Sequence, residues 1–390
     1  DRCPRMLRSR GRSADGRLMP VVAPTRLDAL LAFAVTHGAS DMHLKVGARP
    51  VARVNGTLVQ MPGTAVIGPA DVDAFADEIL ADAPARRREL DEEGETDVAH
   101  AREGVGRFRV GLFRQRGLVS IAVRVVPAQA RPLGDLGLPP AVARLGENER
   151  GIVLVTGTTG SGKSTTLAAV VDAINRRSHK HIVTIEDPIE VVHTDRGSLV
   201  NQREVGADTG SFATALRRVL RQDPDVIMIG EIRDTATMEA ALQAAEPGHL
   251  VLSTLHTMDA TETVNRAVGF IPLHEQRAVR AMLAGTLRGI VSQRRVPTAD
   301  GSSRVPACEV LVVTGRARDM IADPDQTDRL VEVIREGDYY GMQTFDQSLA
   351  DHVAAGRVSI DDAVRAATSP QDLRLMLDAG PARGRRAPGV

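Results

Sequence analysis

The sequence predicts an α/β protein of two domains, a mixed α+β domain followed by a domain built on a parallel sheet with a helical C-terminal region. Two observations support this prediction. In the second half of the chain, short apolar runs alternate with helical patterns, and a glycine-rich loop directly follows the first of these runs. With 390 residues, the chain is also too long for one ordinary hydrophobic core.

Four apolar runs of the second domain are predicted to be buried strands. They lie at residues 152–155, 182–185, 226–229 and 250–252. Continuous apolar strands are typical of a parallel sheet with helices on both faces, and ligands bind such sheets at the carboxyl ends of the strands. Beyond Pro272 we expect helices, through residues 283–291 and 330–334 to a final pair around 359–377.

The first domain is expected over residues 25–130. The spacing of Leu27, Leu30, Leu31 and Ala34 predicts an amphipathic helix that ends near Gly38, and residues 51–54 and 108–113 alternate as strands do. The charge-dense interval 78–95 indicates a solvated helix face. Prolines and small residues predict a linker at 131–140, which leaves 141–378 for the second domain.

Both ends of the sequence are expected to be disordered. Residues 1–24 combine six arginines with Gly, Ser and Pro, and residues 379–390 are again rich in Arg, Pro and Gly. A signal peptide is the alternative for the first segment, although Pro20, Pro24, Arg26 and Asp28 interrupt its apolar stretch. No run approaches the ~18 apolar residues of a membrane span, so any membrane contact is expected to be peripheral.

Composition argues against several classes of protein. The 49 basic and 50 acidic residues nearly cancel, which indicates neither a polyanion-binding coat nor a strongly acidic protein. The two cysteines, Cys3 and Cys308, cannot form a disulfide framework or a four-cysteine zinc site, and this fits a reducing cytosolic compartment. Aromatic residues are 2% of the chain, so base-stacking platforms for single-stranded nucleic acid are not expected.

The glycine-rich loop has the spacing G-x-x-x-x-G-K-[ST] of a phosphate-binding loop, between a predicted strand and a predicted helix. Its backbone N–H groups and the helix N-terminus bind phosphate oxygens, Lys163 reaches the terminal phosphates, and Ser164 can hold Mg²⁺. No Asn precedes any of the three lysines, so the guanine-reading Asn-Lys-x-Asp is absent and ATP is the expected nucleotide. The predicted nucleotide-binding residues are Gly157, Thr158, Thr159, Gly160, Ser161, Gly162, Lys163, Ser164 and Thr165.

Polar side chains follow the other three predicted strands. They are Glu186, Asp187 and Glu190 after the second strand, Glu231 after the third, and His256 after the fourth, with His249 at the fourth strand's other end. Carboxylates beside a phosphate loop can hold Mg²⁺ and orient an attacking water. Two alternatives stay open: Glu186 or Asp187 caps the next turn, and the histidines are satisfied core residues rather than γ-phosphate sensors.

Together these residues resemble the PilT-type type IV pilus retraction ATPases of the secretion ATPase superfamily. The resemblance runs from Leu27 to Leu377 and rests on residues 39–44, the phosphate loop, an Asp box at 184–190, a Walker B segment at 223–234, a His box at 248–257 and an element at 333–337. It implies a PAS-like first domain, a RecA-like ATPase domain, and ATP and Mg²⁺ as cofactors.

The resemblance also implies roles for individual residues. Glu231 corresponds to the catalytic glutamate, Glu190 to a second acidic group near Mg²⁺, and His249 and His256 to the box histidines. The metal would then lie at Ser164, Glu190 and Glu231.

Arg109 and Arg124 match first-domain arginines that reach the nucleotide as arginine fingers. The residues alone leave an alternative, because Arg107 and Arg109 share one strand face and equally form a surface stripe. The resemblance further implies a cytoplasmic homohexamer at the inner face of the membrane, working with an inner-membrane pilus platform protein. Residues 333–337 either end an ordinary helix or transmit motion to such a partner.

Three other functions stay open. A pilus-assembly or secretion ATPase of the same superfamily typically carries a four-cysteine zinc insert, which two cysteines cannot supply. A DNA-handling RecA-like NTPase is disfavoured by the balanced charge and the few aromatic residues, so no nucleic-acid partner is expected. A passive nucleotide sensor would bind ATP without turnover.

Overall fold

The computed structural model describes residues 25–246 and 248–379. The predicted disordered leader 1–24 and all but residue 379 of the predicted tail 379–390 therefore lie outside the described residues. The chain divides into two compact units between Val126 and Pro127. In the described part of each unit, buried apolar side chains form separate cores.

The first unit is a mixed α+β domain, as predicted. From residue 25 to residue 126 its elements are α1 (Arg26–Thr36), β1 (Ala39–Lys45), β2 (Val51–Val54), β3 (Thr57–Gln60), α2 (Pro69–Ile79), α3 (Pro84–Glu92), β4 (Glu95–Arg102), β5 (Gly106–Gln115) and β6 (Leu118–Val126). Helix α1 begins with a capping box, because Asp28 N–H donates to Thr25 Oγ1 at 3.1 Å and Thr25 N–H donates to the Asp28 carboxylate at 2.9 Å.

The six strands pair antiparallel in the order β3-β2-β1-β6-β5-β4. Alternation along each strand buries one face, with Met42, Phe108 and Val123 in the core. The other face carries charge: Asp41 is opposite Arg124, and Arg124 is opposite Arg109 on the next strand. The sheet therefore has one apolar and one charged face.

The second unit has the predicted parallel sheet. Its elements are a 3-10 turn (Leu133–Leu136), α4 (Pro140–Gly146), β7 (Gly151–Thr156), α5 (Lys163–Arg177), β8 (His181–Glu186), β9 (Leu199–Glu204), α6 (Phe212–Val219), β10 (Val226–Ile229), α7 (Thr235–Ala245), β11 (Leu250–Leu255), α8 (Ala260–Gly269), α9 (Gln276–Thr286), β12 (Leu287–Pro297), β13 (Arg304–Val312), α10 (Gly315–Ala322), α11 (Leu330–Glu336), α12 (Phe345–Ala354), α13 (Ile360–Ala366) and α14 (Pro370–Asp378).

The strand order is β13-β12-β7-β11-β10-β8-β9, and every pair except β12–β13 is parallel. All residues of β7, β10 and β11 are buried, as continuous apolar strands of a covered sheet should be. Helix α5 packs Leu167, Val170 and Val171 on the core, each contributing about 1.5–3 kcal/mol by burial. The phosphate loop leaves the sheet directly after β7.

Two intervals differ from the sequence prediction. Residues 131–140 are not an extended linker, because the 3-10 turn and the start of α4 lie there and Leu133 and Leu138 pack against a core cluster. The helix predicted over 283–291 is wrong beyond Thr286, where β12 begins. A short apolar run fits either state, and pairing with β7 on one side and β13 on the other selects the strand.

The C-terminal helices pack on the β12–β13 hairpin. Val296 of β12 lies in one buried cluster with Phe345 and Leu349 of α12 and Leu373 of α14. The predicted final helix pair is confirmed as α13 and α14. Among the helices of the described ranges, none has the length and apolar content that crossing a membrane requires.

Candidate active site

The loop between β7 and α5 has the backbone of a phosphate-binding loop. Gly157, Gly160 and Gly162 have φ of 137°, 79° and 101°, which side chains rarely adopt. A Cβ added at Gly157 would lie 2.4 Å from the carbonyl oxygen of Gln293, so the close approach of β12 also requires glycine there. Because α5 begins at Lys163, the first N–H groups of the helix have no partner within it and are free to bind an anion.

Lys163 is held inside this loop. Its Nζ donates to the carbonyl oxygens of Gly157 at 2.8 Å and Thr158 at 3.1 Å, and the residue is 8% exposed. Burial lowers the pKa of Lys163, while the carboxylates of Glu231 and Glu190 act in the opposite direction. Both predicted acidic residues therefore lie near enough to the ammonium group to interact with its charge.

Glu231 follows β10 and is restrained on both carboxylate oxygens. Arg233 forms an ion pair with Oε1, and His256 Nε2 lies 3.2 Å from Oε2. The backbone is fixed as well, since Ile232 N–H donates to the carbonyl oxygen of Thr254 at 3.1 Å. The structure thus brings together Glu231 and His256 as predicted, and adds Arg233, which stands two residues after Glu231 and was not predicted as a site residue.

The acidic residues at the end of β8 and in the turn after it differ in burial and in hydrogen bonding. Glu186 is buried and accepts hydrogen bonds from Thr184 Oγ1 at 2.6 Å, Gln202 Nε2 at 3.0 Å and Glu190 N–H at 3.3 Å. Burial raises the pKa of Glu186. This favours the capping alternative for Glu186, while Glu190 and Asp187 have exposed side chains.

The structure does not bring His249 to this cluster. His249 precedes β11 and His256 follows it, so the six-residue strand separates them by about 20 Å. His249 Nδ1 lies 2.8 Å from the carbonyl oxygen of Ala244, and Gly151 N–H donates to the carbonyl oxygen of His249 at the amino end of β7. The expectation that both histidines lie beside the phosphate loop is corrected for His249.

A cavity of about 130 Å³ adjoins the loop and contains residues that the sequence prediction missed. Ser161, Gly162 and Thr165 line it together with Arg131, Gln293, Arg295 and Arg304. Gln293 also exchanges hydrogen bonds with Thr166 of α5 at 2.9 and 3.2 Å. Gln293 and Arg295 were missed because only helices were expected beyond Pro272, so no strand was predicted there to pair with β7.

The residues at the loop fit a nucleotide with its cation. Ser161 Oγ is buried and has no hydrogen-bond partner in the protein. Across residues 25–246 and 248–379, no three His, Cys, Asp or Glu side chains are grouped to hold a metal ion by themselves. Mg²⁺ at phosphate sites needs only one or two protein ligands beside water and phosphate oxygens, so Ser164 with Glu190 and Glu231 is a sufficient donor set.

Arg109 and Arg124 belong to the charged face of the first unit. Arg124 Nε donates to Asp41 Oδ1 at 2.9 Å, and an Arg109 nitrogen lies 4.0 Å from an Asp97 carboxylate oxygen. Their side chains are 46% and 69% exposed. The two guanidinium groups lie on adjacent strands, at paired positions of β5 and β6.

Comparison with known proteins identifies the family. The profile described as "Type II/IV secretion system protein" matches residues 21–373. The chain belongs to this secretion system protein family. As a member, it is 42% identical over 345 residues to the type IV pilus retractation ATPase PilT of Pseudomonas aeruginosa, covering 88% of this chain and 98% of PilT. It is also 40% identical over 352 residues to the type IV pilus ATPase PilU of that organism, covering 90% and 91% of the two chains.

A solved structure agrees with this membership. The crystal structure of the pilus retraction motor PilT with bound ADP matches with a TM-score of 0.80 at 43% identity, over 88% of this chain and 97% of that one. The family resemblance, the α/β fold with its N-terminal and ATPase domains, and the assignment of this secretion ATPase as an ATP hydrolase are thereby confirmed.

Proposed function

We propose that this secretion ATPase is the ATP-driven motor that retracts type IV pili. The observation that supports the proposal best is the convergence of Lys163, Glu231 and His256 at the phosphate loop, in a chain that spans 98% of the pilus retractation ATPase PilT. A passive nucleotide sensor would not need a restrained carboxylate beside the loop lysine. Hydrolysis of ATP uses a positioned polar side chain, such as this carboxylate, to orient the attacking water.

Each loop residue has a task in this reaction. Backbone N–H groups at the start of α5 and the Lys163 ammonium bind the phosphate oxygens. Glu231 orients the attacking water and accepts its proton, and Arg233 and His256 hold the carboxylate in place. When bound, Mg²⁺ neutralises charge on the β- and γ-phosphates, and Ser164, Glu190 and Glu231 would hold it directly or through water.

The motor is proposed to be a cytoplasmic homohexamer that works with an inner-membrane pilus platform protein. Arg109 and Arg124 are proposed to act as arginine fingers on the nucleotide. Their support is geometric: both are exposed, they face each other across two paired strands, and Asp41 orients Arg124. A planar guanidinium on a rigid sheet is well suited to phosphate recognition.

The test first distinguishes ATP binding from ATP hydrolysis, and then distinguishes pilus retraction from pilus assembly. Glu231→Gln should bind ATP like the wild type while hydrolysis falls roughly 10²-fold or more, because the charge that orients water is lost. Cells without this protein should display pili that do not retract, and the wild-type chain but not Glu231→Gln should restore retraction. Equal loss of binding would contradict a catalytic role for Glu231, and missing pili would indicate an assembly ATPase instead.

A further inference from the structure

The loop between β11 and α8 carries His256, and the first turn of α8 holds this loop. Thr257 Oγ1 lies 2.7 Å from Thr263 Oγ1, and both residues are buried. Met258 N–H donates to the Glu262 carboxylate at 2.6 Å. His256 is thus attached to α8 on both residues that follow it, so its position depends on where α8 begins.

A buried carboxylate from another strand contacts that beginning. Glu309 of β13 is 6% exposed, and its Oε1 accepts a hydrogen bond of 2.9 Å from the N–H of Ala260, the first residue of α8. The charged groups that act on Glu309 are Asp259 before α8, Arg294 of β12 and Asp346 of α12. None of these groups belongs to the phosphate loop or to the cluster around Glu231.

We propose that Glu309 is a positioning residue for ATP hydrolysis. By holding the Ala260 N–H, it fixes the start of α8, and through the loop it holds His256 against the Glu231 carboxylate. The inference rests on the proposed catalytic role of Glu231. It adds a residue whose side chain touches neither nucleotide nor Glu231.

The chemistry of Glu309 favours this role over packing alone. Burying a carboxylate is costly, and burial raises the pKa of Glu309 to about 7. An apolar side chain would fill the same space without that cost. A carboxylate at this place is useful because it accepts the N–H of the first residue of α8, beside the N-cap Asp259, which accepts the Glu262 N–H at 2.8 Å. An apolar side chain cannot accept this hydrogen bond.

The first measurement compares three variants in steady-state ATP hydrolysis. Glu309→Ala removes the acceptor and should lower kcat roughly 10- to 100-fold with a much smaller change in KM. The reason is that His256 is displaced from Glu231, whereas the phosphate loop that binds ATP is unchanged. Glu309→Gln keeps an amide oxygen as acceptor and should stay near the wild-type kcat. Val310→Ala, the adjacent buried residue in a different core cluster, controls for destabilisation of β13. Equal kcat loss in Val310→Ala, or no rescue by glutamine, would overturn the role.

A second variant removes the donor and keeps Glu309. Ala260 is the first residue of α8 and follows extended Asp259, with φ −151° and ψ 177°, so proline is compatible with the helix backbone there. The proline ring takes the place of the N–H and pushes the Glu309 carboxylate away from the helix start. Ala260→Pro should therefore lower kcat as Glu309→Ala does. Gly315→Pro at the exposed first position of α10, also after an extended N-cap residue, controls for proline at a helix start and should hydrolyse ATP normally. Wild-type kcat in Ala260→Pro would contradict the proposal.

A double variant tests whether Glu309 acts through His256. If it does, Glu309→Ala with His256→Ala should be no slower than His256→Ala alone, whereas independent effects would multiply and reject the mechanism. Glu231→Gln run in parallel separates the two proposals. Wild-type hydrolysis in Glu231→Gln would reject the catalytic assignment, whereas an inactive Glu231→Gln beside a fully active Glu309→Ala would reject only the positioning role.

Discussion

At the scale of one residue, the phosphate loop fixes the position of the Lys163 ammonium group. The ammonium donates to the carbonyl oxygens of Gly157 and Thr158, so it is directed along the loop before it meets a phosphate. Lys163→Ala should lower ATP affinity and turnover together, because a fixed positive charge at the β- and γ-phosphates is lost. Nucleotide titration and phosphate release measure the two effects. Lys180→Ala, outside the loop, is the control, and normal turnover in Lys163→Ala would count against the site.

Glu309 gives the second prediction at this scale, in the pH dependence of stability. Burial raises its folded-state pKa from 4.5 to about 7, so between these values the folded chain keeps a proton that the unfolded chain has released. Wild-type stability should therefore fall as pH rises through this window, by on the order of 3 kcal/mol at most, relative to Glu309→Gln, which does not titrate. Thermal melts of both proteins at pH 5 and pH 8 measure it. A pH-independent difference in melting temperature would contradict the prediction.

At the scale of an element, α11 presents its last residues to solvent. Val333 and Ile334 are buried, whereas Arg335 and Glu336 are exposed, and Glu336 pairs with Arg316 at 2.7 Å on the surface. Exposed pairs of this kind contribute about 0–1 kcal/mol, so stability does not depend on them.

We therefore predict that Arg335→Ala with Glu336→Ala folds and hydrolyses ATP but no longer supports pilus retraction in cells. Arg329→Ala with Glu332→Ala removes another exposed pair at the start of the same helix and should retract normally. Unimpaired retraction in the first double variant would reject a coupling role. Joint loss of folding, hydrolysis and retraction would instead identify an ordinary helix end.

At the scale of the whole molecule, the proposed arginine fingers predict complementation between subunits. Arg124→Ala and Glu231→Gln should each be inactive, yet a mixture should recover part of the activity, because mixed rings contain some sites with both groups intact. Phosphate release from exchanged mixtures measures the recovery. Subunit exchange without any recovery would argue that Arg124 does not act across a boundary. The control is a mixture of two separate preparations of the same variant, in which no intact site can form.

The sequence alone determined those features of this protein that depend on residues close together along the chain. Strands 152–155, 226–229 and 250–252 are apolar throughout and 182–185 is apolar except for Thr184, and runs of this kind between helical patterns are typical of covered parallel strands. The phosphate loop is equally local, because the glycines and Lys163 stand at fixed spacing between one strand and one helix. Glu231 and His256 were predictable too, since carboxyl ends of neighbouring parallel strands meet at one edge of the sheet.

Only the tertiary structure decided the features that depend on which elements become neighbours. Whether residues 287–291 are helix or strand depends on β7 and β13, and pairing on both sides selects the strand. That pairing brings Gln293 to Thr166 of α5 and Glu309 to Ala260 of α8, across 127 and 49 residues of chain. His249 and His256 look equivalent in the sequence, but a strand's length separates them in space. The spacing of residues along the chain determines their geometry within one helix or strand. Contacts between elements depend on the order in which the strands pair in the folded sheet.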